Sequence, residues 1–170
     1  LDKLFEMFKP PKKTAAFIKF VDIAGIVKGA SQGEGLGNKF LANIREVDAI
    51  VHVLRCLEDD DIQHVENKVD PVADAETVDT ELLLSDLESL EKRLPALQKK
   101  ANGGDKEAKI SISIFTQVLE LLHAGKPARL AEPKDEDETR VLAQAQLLTS
   151  KPVLYVCNVD DTSAASGNKY

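Results

Sequence analysis

Asp22 and Gly25 stand three residues apart at the exit of an apolar run, a spacing suited to phosphate chemistry. A carboxylate delivered to a sheet edge can hold hydrated Mg²⁺, and a following glycine can sense a terminal phosphate. The glycine lets its backbone N–H approach without a Cβ in the way. The surrounding stretch, AAFIKFVDIAGIVKGASQGEGLG, adds Gly29, Gly33, Gly35 and Gly37. The same letters also fit an ordinary strand with a glycine-rich exit loop.

These residues need a scaffold, and composition bounds it. The chain has 170 residues, 43% hydrophobic and 30% charged. That is enough for one domain with a core, or a domain plus an insertion. A net charge of −7 argues against a general nucleic-acid binder, while leaving room for a local basic face. Cys56 and Cys157 lack CxxC spacing, so neither a disulfide framework nor a zinc site is expected. Both lie in apolar strands, which suggests buried, reduced thiols. No apolar run is long enough to span a membrane, and a cytoplasmic setting fits best.

Local patterns supply the elements. Leu1–Phe8 has helical spacing and is ended by Pro10 and Pro11. Ala15–Val21 reads as a strand. Asn38–Arg45 places Phe40, Leu41 and Ile44 on one helical face. Ala49–Cys56, AIVHVLRC, reads as a parallel strand covered on both faces, with His52 as a hydrogen-bonded core residue rather than a ligand. Glu58–Asp61 reads as a solvated turn, and Pro71 as the close of a loop. From Glu76 to Lys100 the pattern changes. Leu83, Leu87, Leu90, Leu94 and Leu97 form a seam of coiled-coil type, and Pro95 should kink that arm. Asn102-Gly103-Gly104 signals a turn, with Asp105 as the next helix cap. Ala108, Ile112, Phe115, Leu119 and Leu122 repeat the seam, so an antiparallel helical hairpin follows. A third helix is expected over Asp135–Leu148, with an acidic start that suits the helix dipole. Val153–Cys157 is the last strand and leads into Asn158-Val159-Asp160-Asp161. The three strand ends should share one sheet edge, where ligands bind. The hairpin interrupts the sheet as an insertion.

With those motifs placed, the stretches FVDIAGIVKGASQGEGLGNKFLANIREVDAIVHVLRC, NGGDKEAK and KPVLYVCNVDD resemble the YchF/Obg-like ATPase family, a branch of the P-loop GTPases. The resemblance covers about Leu1 to Asn158. It implies an α/β fold: part of a P-loop NTPase G domain, mainly parallel, with an inserted coiled-coil-like α-helical hairpin. Residues 1–70 and 151–170 would belong to the G domain and 71–150 to the insertion. Asp22–Gly25 would be the third G motif, opening the second switch, and Asn158–Asp161 would read the base. The family's activity is hydrolysis of ATP, with GTP possible, on Mg²⁺, and its members associate with ribosomes. The sequence G-x-x-x-x-G-K-[ST] does not occur in these residues. In the family it lies upstream of the matching region, and a TGS domain follows at the C-terminal end. The expectation is weak or no nucleotide binding by this chain alone.

The resemblance assigns roles residue by residue. Asp22 would hold Mg²⁺ through water, and the Gly25 N–H would meet the γ-phosphate. Ile26 stands where Ras-like enzymes carry a glutamine that orients water, so hydrolysis must be slow or assisted. Asn158, Val159 and Asp161 would contact the base. The family typically has glutamate where this chain has Asp161. Lys28 and Lys39 could meet phosphate or RNA, or be solvated. Lys92, Arg93, Lys99, Lys100, Lys106 and Lys109 give the hairpin a basic end that could touch RNA. An alternative function stays open, a ribosome or nucleic-acid binding module in which nucleotide only gates the partner.

Overall fold

The computed structural model describes residues 2–23, 36–58 and 69–170. Its elements run α1 (Asp2–Phe8), α2 (Leu36–Glu46), β1 (Ile50–Arg55), α3 (Pro71–Asn102), α4 (Lys106–His123), α5 (Glu136–Gln144) and β2 (Val153–Asn158). Two short 3-10 turns, Ala128–Leu130 and Leu148–Ser150, flank α5. None of these helices is long and apolar enough to cross a membrane.

β1 and β2 pair in parallel, from Ile50 opposite Val153 to Arg55 opposite Asn158. This pair is the whole sheet among the described residues. Side chains alternate along a strand, so Ile50, His52, Leu54, Val153, Tyr155 and Cys157 share one face. That face meets α3, where the Tyr155 hydroxyl donates to Asp79 at 2.8 Å. The other face, Val51, Val53, Leu154 and Val156, is open. Cover on both faces, expected from the apolar run, is therefore corrected to cover on one.

The expected strand Ala15–Val21 does not form. A strand exists through its ladder, and neither β1 nor β2 pairs with this segment. Phe17 is 91% exposed and Ile18 81%. Further on, Ile23 packs against the cluster of Leu41, Ile44, Leu82 and Leu148.

The hairpin forms as expected, except that in its second arm Ile114 and Val118, and not Ile112, join Phe115, Leu119 and Leu122 in the core. α3 starts earlier than the leucine seam suggests, because Asp70 caps it and Pro71 takes the first helical position. The N–H that proline lacks has no partner in a first turn anyway. Pro71 thus opens a helix rather than closing a loop. Pro95 lies inside α3 without ending it. The adjacent Leu94 and Leu97 pack on the core and help offset the missing backbone bond. Asp105 caps α4 by accepting from the Ala108 N–H at 3.1 Å. The core joins Leu90, Ile114, Phe115, Val118, Leu119 and Leu122 with Val141, Ala145 and Leu147 from and beyond α5.

α5 is shorter than expected. Asp135 caps it through the Glu138 N–H at 2.8 Å, while Glu138 accepts from the Lys134 N–H at 2.8 Å. It stops at Gln144 because Gln146 turns left-handed, φ 51°. That turn sends Leu147 and Leu148 inward, and both are fully buried.

Candidate functional site

The C-terminal end of the sheet carries the candidate residues that the structure describes. Arg55 and Asn158 close the ladder side by side. The Cys56 N–H donates to the Asn158 carbonyl at 2.8 Å, which fixes the Asn158 backbone. Its side-chain amide is exposed and has no hydrogen-bond partner among the described residues. A ligand could therefore use it without displacing a protein contact. Val159 is half-buried, and Asp161 is exposed in the turn that follows.

Asp160 organises that turn. Its carboxylate accepts from the Ser163 N–H and the Ser163 hydroxyl, both at 2.9 Å, and from the Thr162 hydroxyl. The Thr162 and Ser163 hydroxyls, together with the Ser163 N–H, hold the Asp160 carboxyl below its usual range. The family motif alone leaves Asp160 without a role. A signal is present all the same: Asp-x-Thr-Ser is the pattern of a carboxylate capping a turn. The chain beyond returns to β1. Asn168 Nδ2 donates to the Cys56 carbonyl at 2.6 Å, and the Tyr170 hydroxyl donates to Glu58 at 3.0 Å.

Asp22 is exposed and lies outside the sheet. Its neighbour Ile23 packs on the cluster that Ile50 also joins, and Ile50 begins β1. Asn158 ends β2. The expected meeting of Asp22 with Asn158 on one edge is thus not formed by the described residues, since Ala15–Val21 has no ladder to carry Asp22 there. Gly25, Ile26 and Lys28 lie outside the described residues, and so do residues 59–61 and the Lys39 side chain.

His52 is half-buried, with its ring 5.6 Å from that of Tyr155. Burial pushes its pKa down, against the pull of Asp79 and Asp74. No group of three or more metal-ligating side chains occurs among the described residues. A cavity of about 380 Å³ lies between α3, the 125–129 loop and Val153 at the start of β2, the far end from Asn158.

The basic end of the hairpin is smaller than expected. Arg93 donates to the Ala145 carbonyl at 3.1 Å, and Lys92 pairs with Glu88 at 2.5 Å. Arg93 thus ties the arm to the end of α5, and Lys92 is held in an exposed ion pair on its own helix. Lys99, Lys100, Lys106 and Lys109 remain exposed around the turn.

The residue that no motif in the sequence marks is Asp86 of α3, which is 0% exposed. It accepts from the Leu148 and Thr149 N–H groups, each at 2.8 Å, and from the Thr149 hydroxyl at 2.7 Å. Burial raises its pKa, against those donors and Arg45. Arg45 itself donates to the Ser85 hydroxyl and the Gln146 carbonyl, each at 3.2 Å. Lys151 donates to the carbonyls of Arg45 and Val47. These bonds tie α2 and α3 to the entry of β2.

Residues 3–86 match a family model described as a 50S ribosome-binding GTPase. The chain is 49% identical over 171 residues to the ribosome-binding ATPase YchF of Bacillus subtilis, covering 99% of this chain and 46% of that protein. It is 50% identical to the protein of that name from Haemophilus influenzae, covering 95% of this chain and 44% of that one. The solved structure of the Schizosaccharomyces pombe YchF GTPase superposes with a TM-score of 0.76 at 38% identity, over 99% of this chain and 46% of that one. The chain spans less than half the length of the curated relatives it matches.

Proposed function

The chain belongs to the YchF/Obg-like family of the P-loop GTPase class, and on that premise we propose that it is part of a Mg²⁺-dependent ATP hydrolase that also accepts GTP and switches ribosome association. The carrying observation is near-complete coverage of this chain at 49% identity, which takes in both Asp22–Gly25 and Asn158–Asp161. The similarity to relatives named ribosome-binding ATPases supports both the nucleotide and the partner.

Mg²⁺ keeps several waters and uses few protein carboxylates, relying on substrate phosphates for the rest. One exposed carboxylate, Asp22, fits that demand in a nucleotide-bound arrangement that brings its segment to the sheet edge at Asn158, which the described residues do not form. The ion, when bound, neutralises charge on the phosphates. The chain's own residues position the substrate: Gly25 through its N–H at the terminal phosphate, and Asn158 through its exposed amide at the base. Phosphoryl transfer to water needs little beyond positioning and charge stabilisation. Ile26 can neither hydrogen-bond nor carry a proton, so slow basal turnover follows. The basic turn at Lys99, Lys100, Lys106 and Lys109 supplies a contact for ribosomal RNA.

Base choice falls to Asp161. A carboxylate accepts the two N–H donors on guanine's edge, whereas adenine presents a lone pair beside its amine. The ATP preference in this reading rests on the relatives named ATPases, while Asp161 keeps guanine's two N–H donors partnered and so retains GTP. The test is calorimetry of ATP and GTP with the intact protein and its Asp161→Asn variant. GTP affinity should fall at least tenfold while ATP affinity changes little. Failure of the intact protein to bind either nucleotide would overturn the reading.

A further inference from the structure

The chain's two cysteines are diagonal neighbours at the end of the parallel ladder. Cys157 pairs with Leu54, and Cys56 lies two residues beyond Leu54, on the same face. The Cys56 N–H is bonded to the carbonyl of Asn158, the residue after Cys157. Cys56 is 2% exposed, whereas Cys157 is exposed. The sequence suggests buried thiols at both positions, and the structure corrects that to Cys56 alone. Burial pushes the Cys56 thiol up, and the neighbouring Cys157 thiol adds to the shift.

We propose that Cys157 and Cys56 form a peroxide-sensitive pair, the exposed thiol reacting first and the buried one resolving it into an intramolecular disulfide. The Cys157 thiolate attacks one oxygen of a hydroperoxide. The O–O bond breaks, leaving a sulfenic acid on Cys157, and the departing hydroxide or alkoxide takes up the proton the thiol gave, as water or an alcohol. The Cys56 sulfur then attacks the Cys157 sulfur, the S–O bond breaks, and hydroxide leaves with the Cys56 proton as water. Two thiols lose two electrons in all, and the hydroperoxide gains them. A disulfide needs Cα atoms within about 7 Å; with strands about 4.8 Å apart and a rise of about 3.3 Å per residue, the two-residue offset puts these about 8 Å apart, so the two backbones must draw together. Cys56 lies just past the last residue of β1, where two hydrogen bonds resist that movement, its N–H to the Asn158 carbonyl and the Asn168 amide to its own carbonyl. Oxidation therefore acts directly on the segment that fixes Asn158. The proposal concerns the thiols alone and stands apart from any nucleotide reading.

The chain's small cysteine count makes the test decisive. The full chain is treated with hydrogen peroxide, and its free thiols and intact mass are measured. Free thiols should fall from two to none, with loss of two hydrogen atoms, no dimer, and one cross-linked peptide joining Cys56 to Cys157. Cys56→Ser should trap dimedone at Cys157, and Cys157→Ser, a change at an exposed position, should form no monomeric product. Disulfide-linked dimers, a Cys157 sulfinic acid beside a free Cys56, or thiols that stay reduced would each overturn the proposal.

Discussion

Asp86 and Thr149, 63 residues apart in sequence, share two hydrogen bonds in the interior, from the Thr149 hydroxyl at 2.7 Å and its N–H at 2.8 Å. The Thr149 hydroxyl oxygen also accepts the Ala128 N–H at 3.0 Å. One carboxylate thus fastens the helical arm to the turn that delivers β2. Removing it leaves the Leu148 and Thr149 N–H groups buried without a partner, at about 1–3 kcal/mol each. Asp86→Ala should lower unfolding free energy by about 3 kcal/mol in urea titration. A change within error would mean that water replaces the carboxylate.

The same group predicts a pH dependence. Burial raises the folded-state pKa of Asp86 above its unfolded value. The folded protein then binds more protons between those two values, so this contribution is full below the unfolded pKa and is lost as pH rises through the folded one. Asp86→Asn cannot titrate. The wild type should lose stability relative to Asp86→Asn as pH rises from below about 4 towards neutral, read as a change in urea midpoint difference.

Gly104 sits at φ 94° in the α3–α4 turn, and a Cβ there would meet nothing within 4 Å. The cost of Gly104→Ala is therefore conformational alone, about 1 kcal/mol. Thermal unfolding should show a drop of a few degrees. Gly103→Ala differs in kind, because its Cβ would come within 3.2 Å of the Lys100 carbonyl oxygen.

At the arm's end, Lys99, Lys100, Lys106 and Lys109 are exposed cations placed to meet phosphate. Replacing all four by alanine in the intact protein should weaken ribosome co-sedimentation and flatten its salt dependence, by about one unit of slope for each phosphate no longer neutralised. Replacing Lys92 instead should leave binding unchanged, since it pairs with Glu88 on its own helix.

Ile26→Ala in the intact protein should leave basal nucleotide turnover within about twofold, because an apolar side chain cannot orient water. A hundredfold loss in steady-state phosphate release would show that Ile26 takes part in forming the site.

Much of this was legible in the letters. The hairpin, its turn and the Asp105 cap follow from repeats and punctuation spanning a few residues, and each is a local property of the chain. The seam leucines pack as their spacing requires. Asn158 arrives at a parallel strand's end as VLYVC implies. The YchF/Obg-like motifs are contiguous, so they could be read without coordinates.

Other features needed the whole chain. Ala15–Val21 has a strand's composition, yet a strand is completed by a neighbour's hydrogen bonds, and the described residues supply none. The letters around Asp86 look like those of any charged helix position. It becomes a buried acceptor only because Leu148 and Thr149 return to it. Cys56 and Cys157 read alike in sequence; the register of β1 against β2 makes them neighbours, and the packing around the strand ends buries one and leaves the other exposed. Periodicity and capping act within a turn or two of backbone and are written locally. Burial and pairing depend on which distant segment arrives, and tertiary packing alone decides that.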